Sequence, residues 1–561
     1  MSTSNQNIAR ERQLDWLLDE VHGNGQARAT HIDAANSATA TATRWLTAAL
    51  VVLAIGTAIG VSLLNNQETV APLLAPNEDQ APATKPPLQW HECHDPAELA
   101  EVPADVVNLE CFNFDDDDIA QLAKLERLER IKLGGMDVNE KGYSVGSPIT
   151  DAGVAHLAGL AKLRFLSLRQ CGLATGSTLE KLRAIPQLEH LNLSSTAITS
   201  EAIATLPMLP SLRELSLTYC MNFHGRSLED IAKIPGLRRL ELSYCPTISA
   251  KDAMHLTKLK ELRHLDLSIC CGAFLGQTEM MLDDVTGDEP PPPPQQNGIG
   301  ITDEVVVALA AMQLETLKLG GCFALTDRIA NSLATMTSLR SLDLHDLRKV
   351  TGAVLDNLPL QLRILHVHDN HQFSAKSLLA LTRLNNLTEL NLSGIPALDD
   401  EGLKTVLAGK RLTSLAIGGM REGMGRPTDK LRIPSLTPAC RTTLSAQLDL
   451  EVLDLTLTQW LDTATMRELA AMPRLKEVVL QMSKVQAEHL AALAKSSSLR
   501  SVSLQSCRHL QTDAAEALRP AKLTMANFYG TRFPDDDVRE IAKSWSGCTV
   551  LLKSGRMHRV Q

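Results

Sequence analysis

The sequence predicts an α/β solenoid, a right-handed coil with a concave parallel β-sheet and convex helices, preceded by one transmembrane helix. Three observations carry this. After residue 100 the chain repeats itself at steps of mostly 23–25 residues, most clearly over 186–209, 210–234 and 235–259. Each unit opens with LxxLxL and continues with apolar residues at helical spacing. Ahead of the repeats, residues 45–64 form a 20-residue apolar run without a charge. Fixed-period self-similarity marks an array whose units bury their apolar faces only against their neighbours. An uncharged run of that length is what a bilayer requires.

The first segment, 1–44, reads as a cytoplasmic tail with one short amphipathic helix. Leu14, Leu17, Leu18 and Val21 fall on one helical face, which suits docking to a cytoplasmic partner or to the membrane surface. Arg10, Arg12, Arg28 and Arg44 precede the apolar run, whereas the next 35 residues contain only Lys85. The positive-inside rule therefore places residues 1–44 in the cytoplasm and the repeats outside the cell membrane, as a single-pass protein. Gly56 and Gly60 form a GxxxG match that can pack two such spans into a homodimer. Residues 65–100, rich in Pro, Ala, Asn and Gln up to residue 89, form a linker and the start of a cap. His91-Glu92-Cys93-His94 lacks the CxxCH spacing of haem attachment and reads as cap surface. Cys93 and Cys111 stand outside the repeat pattern and are candidates for a capping disulfide.

Residues 101–553 are the repeats, with 554–561 a C-terminal tail. Fifteen LxxLxL cores begin at Leu128, Leu163, Leu188, Leu212, Leu237, Leu262, Leu314, Leu339, Leu362, Leu387, Leu412, Leu450, Leu475, Leu499 and Leu523. Within one unit, period-2 alternation turns Leu188, Leu191 and Leu193 inward and His190, Asn192 and Ser194 outward. Ile203, Leu206 and Leu209 then follow at helical spacing. Between strand and helix stands Cys171, Thr196, Cys220, Cys245, Cys270, Cys322 or Cys507, read as a buried small hydrophobe. Thr or Asp in Ile149-Thr150-Asp151, Leu325-Thr326-Asp327 and Leu398-Asp399-Asp400 is placed to cap a helix. On these motifs the units resemble leucine-rich repeats, specifically the cysteine-containing type of F-box-associated solenoids and many bacterial surface proteins. The resemblance covers roughly residues 105–552. It implies a horseshoe fold and leaves the ligand open, because this fold hosts many unrelated ligands. No F-box-like helical module precedes the repeats, so no ubiquitin-ligase adaptor role is implied.

Composition narrows the function. The chain is 44% hydrophobic but only 3% aromatic, as expected of a leucine-built array, and its net charge of -10 argues against nucleic acid. HExxH, P-loop and CxxC motifs are absent from the sequence, so no enzyme and no cofactor are expected. The sequons at Asn192, Asn386 and Asn391 fall on or beside core strands, which sits better with a bacterial envelope than with a cell that N-glycosylates.

Two patches and three insertions are candidate contact surfaces. Asp343 should lie beside His366, and His345 beside His368, across adjacent strands. Three imidazoles with carboxylates can hold zinc or act as a pH-sensitive ligand contact, and ladders of His, Asp and Ser also suit a solvated face. We read the patch as a ligand contact and assign no metal. Tyr219 and Tyr244 occupy equivalent positions, with Arg239 (and Arg213, Arg238 and Arg263) on the same run of strands; Tyr and Arg favour interface hot spots. Insertions after Gly135, Cys271 and Gly419 leave the units at the same point and should crowd one rim. The expectation is a membrane-anchored recognition or adhesion protein that binds a protein ligand on the concave face or the insertion-bearing rim. The alternative is a transmembrane signalling protein that couples external binding to a cytoplasmic partner of the tail.

Overall fold

The computed structural model describes residues 90–561, apart from 271–299, 422–430 and positions 113, 135–136, 139–143, 146, 173, 178, 246, 556 and 561. The tail helix, the 45–64 run with Gly56 and Gly60, most of the linker and the proline-rich second insertion lie outside the described residues. Among the described residues, no helix is long and apolar enough to cross a membrane.

Each unit contributes a strand of only three or four residues, and these strands join edge to edge in chain order into a 19-stranded sheet. Every pairing is parallel except the last, and the register never slips. Leu215, Leu240, Leu265, Leu317, Leu342, Leu365, Leu390, Leu415 and Leu453 therefore stand in one row, all buried. Burying a leucine stabilises by roughly 1.5–3 kcal/mol, and a one-residue slip would turn the whole row outward. The expected inward set Leu188, Leu191 and Leu193 is buried, as are Ile203, Leu206 and Leu209 on the helical half. The helical elements are short, typified by the α-helix Ser200–Ile203 and the 3-10 turn Leu206–Met208.

The sheet is longer than the leucine count implies. His91–Cys93 and Asn108–Cys111 pair ahead of the first LxxLxL core. At the other end Met557–Arg559, read as tail, folds back antiparallel on Thr549–Leu551 and covers that strand's edge. Neither segment carries the leucine motif. Cys93 and Cys111 are register partners in adjacent strands, both buried and both free thiols. The capping disulfide is not formed; the two side chains fill the core where other units place leucine.

Just past the strands the backbone turns through a left-handed residue, at Gln170, Ser195, Tyr219, Tyr244, Ile269, Gly321, Asp346, Asp369, Gly394, Leu457, Met482, Ser506 and Gly530. The next residue is the small or cysteine position, filled by an aliphatic side chain at Leu347 and Ile395. The cysteines are buried as expected, and they also bond. The thiols of Cys220, Cys245, Cys270, Cys322 and Cys507 donate to the carbonyls of Leu193, Leu217, Leu242, Leu267 and Leu480 in the preceding unit, at 3.0–3.3 Å. Burial raises these thiols, to about 11 at Cys220 and at Cys507, so they stay protonated donors.

Thr150, Thr326 and Asp399 cap helices as the sequence predicts. The following aspartate does more than favour a helix N-terminus. Asp303 accepts from the backbone N–H (2.9 Å) and hydroxyl (2.6 Å) of Thr326, the next unit's cap, and Asp327 does the same with Thr351. Asp116 with Thr150, Asp151 with Thr175 and Asp400 with Thr437 repeat this contact. It ties the helical side together unit by unit, as the cysteines tie the turn.

Candidate functional site

The first candidate patch forms on the sheet face opposite the leucine row. Asp343 and His366 are register partners, as predicted, on the strands Ser341–Asp343 and Ile364–His366. His345 and His368 follow two residues on, with rings stacked 4.5 Å apart and only 9° from parallel. Asp343 belongs to a periodic series. Asn192, Asp266, Asn391, Asp454 and Asn527 occupy its position, and each accepts from the backbone N–H two residues ahead, closing the strand end. Asp343 Oδ1 does so with His345 (3.0 Å) and also accepts from His345 Nδ1 at 2.8 Å. In the other units of the series a Ser, Thr or Tyr stands where His345 stands, so the histidine pair is a local departure from a structural pattern.

The charges here are coupled. His366 Nε2 lies 2.7 Å from Glu389 Oε1 and its Nδ1 lies 3.8 Å from Asp343 Oδ2. Burial alone would lower the imidazole, but the bonds to Asp343 and Glu389 outweigh it and raise His366 to about 9. His345 is raised in the same way by Asp343. His368 is pushed the other way, by burial and by the charge of His345. Asp343 is held well below the usual carboxylate range by His345 and His366 despite its burial.

The third insertion reaches this patch. A two-residue ladder, Met420–Arg421 with Leu431–Arg432, brings Arg432 back over the sheet. Its Nη1 donates to the backbone carbonyl and the carboxylate of Asp369, each at 2.8 Å, and lies 3.8 Å from Asp346. This basic insertion thus places its arginine on two left-handed aspartates of adjacent units.

The second candidate patch separates. Tyr219 and Tyr244 do pair, with ring centroids 5.4 Å apart, but both stand at the left-handed position beyond the strand. Arg239 opens the strand Arg239–Glu241. It lies five residues from Tyr244, or about 16 Å along an extended chain, so the tyrosines and Arg239 are not one patch. Arg213 and Arg263 turn toward the backbone: their Nη1 atoms donate to nearby carbonyls, such as those of Leu212 and Leu262 at 3.0 Å.

Arg239 belongs to a different row. Its Nε lies 3.6 Å from Glu214, and Glu214 lies 3.0 Å from His190 Nδ1. His190 packs on Phe165 (5.9 Å), Arg130 sits 4.5 Å over the Phe165 ring, and Lys132 lies 4.4 Å over the Trp90 ring. Trp90 and Phe165 meet edge to face at 6.0 Å. The sequence reading missed this row. Trp90 precedes a strand without a leucine core, and Phe165 shows in the sequence only as one outward position of Leu-Arg-Phe-Leu.

His264 continues the row between Arg239 and Thr316. Burial, then the charge of Arg239, lower it to about 4, with Arg263 adding to this and Glu214 opposing it. It therefore binds a proton less readily folded than unfolded. Its contribution to stability is complete above about pH 6.5 and is lost as pH falls toward 4. His264→Gln is expected to shrink the loss of denaturation midpoint between pH 7 and 4.5 relative to the parent; an identical loss would show that His264 is not a source of it.

No family model and no curated protein matches the chain. Among solved structures it is similar to a leucine-rich repeat protein of Leptospira interrogans, at 17% identity and a TM-score of 0.37, covering 82% of this chain and 100% of the other. It is similar to an internalin of Listeria monocytogenes at 18% identity and a TM-score of 0.32, covering 68% and 88%. The Rad7–Elc1 complex of yeast matches at 19% identity and a TM-score of 0.40, covering 66% and 83%. The architecture is that of a leucine-rich-repeat-like solenoid, a long parallel sheet backed by short helices. Its own register, turn ladder and cap ladder carry that statement.

Proposed function

We propose that this leucine-rich repeat chain is a non-enzymatic recognition or adhesion protein, tethered to the cell membrane through residues 45–64, that binds a protein ligand on its sheet face. The observation that supports it is the row Trp90, Arg130, Phe165, His190, Glu214 and Arg239. Aromatic rings and arginines in contact, flanked by ion pairs, have the composition of interface hot spots. Only 3% of the chain is aromatic, so their gathering at one end of the face is selective. The apolar, uncharged 45–64 run supports the tether.

The test is cross-linking capture with the full-length chain, comparing the parent with Phe165→Ala and Arg239→Glu. Each is expected to weaken capture of a specific partner by about tenfold, near 1.4 kcal/mol. Met208→Glu, on the exposed helical side, serves as control. Capture unchanged by both face variants, or lost equally in the control, would rule the reading out.

A further inference from the structure

The geometry points to a divalent transition-metal site, of the zinc class, held by Asp343, His345 and His368. This inference is independent of the protein-binding proposal. Each of the three residues offers a ligand atom within 4.8 Å of the other two. A tetrahedral zinc ion with bonds near 2.0–2.1 Å needs its ligand atoms about 3.3 Å apart, so side-chain rotations of roughly 1 Å close the site. Two imidazoles and one carboxylate form a donor set that zinc accepts, and three protein ligands leave a position open to water or to a group from a bound molecule.

An unpartnered group singles the site out. His368 Nδ1 is buried from solvent and has no hydrogen-bond partner, and a buried polar atom without a partner costs about 1–3 kcal/mol. A metal ion would satisfy it. Asp343 divides its oxygens suitably. Oδ1 closes the strand end on the His345 N–H and also bonds His345 Nδ1, leaving that ring its Nε2 for a metal, while Oδ2 lies 3.8 Å from His366 Nδ1. His366, held on Glu389, is a positioning residue that steadies that carboxylate and is not itself a ligand. The fold also leaves room for the first imidazole: a side chain at Gly320 would collide with the His345 ring.

The full-length chain, stripped with a chelator, should be titrated with Zn²⁺ by calorimetry and with Co²⁺ by visible absorption. One ion per chain and the intense absorption of low-coordinate cobalt are expected. His366→Gln should weaken Zn²⁺ binding roughly 10–100-fold, the usual effect of losing an orienting partner, and His368→Ala should weaken it more. His368→Ala removes no Nδ1 hydrogen bond, and the melting temperature of the metal-free variant checks that it folds. The cobalt spectrum of the parent tests the site without any variant. Absence of stoichiometric binding, a six-oxygen cobalt spectrum, or binding unchanged in a folded His368→Ala protein would overturn the assignment.

Discussion

Asn370→Ala is expected to destabilise the repeat domain by about 3–5 kcal/mol, read as a lowered urea midpoint. Asn370 is 1% exposed and occupies the position that cysteine takes in other units. Its Nδ2 donates to the carbonyls of Leu344 (2.8 Å) and Val367 (2.9 Å), and its Oδ1 accepts from the Leu347 N–H at 2.8 Å. Alanine would leave three buried backbone groups without partners, each costing about 1–3 kcal/mol before relaxation and incomplete additivity reduce the sum. Cys220→Ala removes one thiol donor and should cost about 1 kcal/mol. Asn370→Cys provides a graded control, because a thiol can restore the bond to Leu344 but not the acceptor for Leu347. A cost for Asn370→Ala no larger than that for Cys220→Ala would refute this account of the position.

That comparison also marks how far the sequence was legible. Leucine spacing predicts the strands, their inward faces and the caps Thr150, Thr326 and Asp399, because burial and capping depend on local pattern. The contacts between units are less readable. A cysteine at fixed period reads as a small apolar residue; its bond to the previous unit's carbonyl appears only once the units are stacked. The reach of Asp303 to Thr326 is hidden for the same reason, since the residues are a unit apart in sequence. The terminal strands escaped because His91–Cys93 and Met557–Arg559 carry no leucine core, and their pairing depends on the neighbouring strand alone.

The candidate site divides in the same way. Lateral pairing of Asp343 with His366 follows from strand register, and the sequence provides it. Position along the unit was less secure. Tyr219 and Tyr244 read from the sequence either as ligand-side residues or as packing of the turn edge, and they stand in the left-handed turn, where Gly321 and Gly394 stand in other units. Only alignment with those glycines distinguishes a turn position from a strand position. The long-range packing of Trp90 beside Phe165, and of Arg432 on Asp369, has no sequence period at all.

Arg432→Ala is expected to cost about 3–4 kcal/mol, and its effect should centre on the His/Asp patch. Arg432 is 7% exposed and Asp369 is 9% exposed, so the pair is substantially desolvated. Removing one partner of a buried pair typically costs 3–5 kcal/mol, because the other charge is left buried without compensation; partial access of water to Asp346 trims that figure. Asp346 and Asp369 occupy equivalent positions in adjacent units, and without the guanidinium they would face each other as like charges. Asp369 is already raised to about 6 by burial even with Arg432 beside it. Arg432→Lys should recover only part of the loss, since an ammonium is more strongly hydrated than a guanidinium and gives up more on entering this desolvated position. Arg432→Ala combined with Asp369→Asn should lose less than the two single changes summed, by 1 kcal/mol or more, because the second change removes the charge that the first exposes. Strict additivity in chemical denaturation would mean that Arg432 acts through packing alone, and that the insertion is not fastened to the sheet by charge.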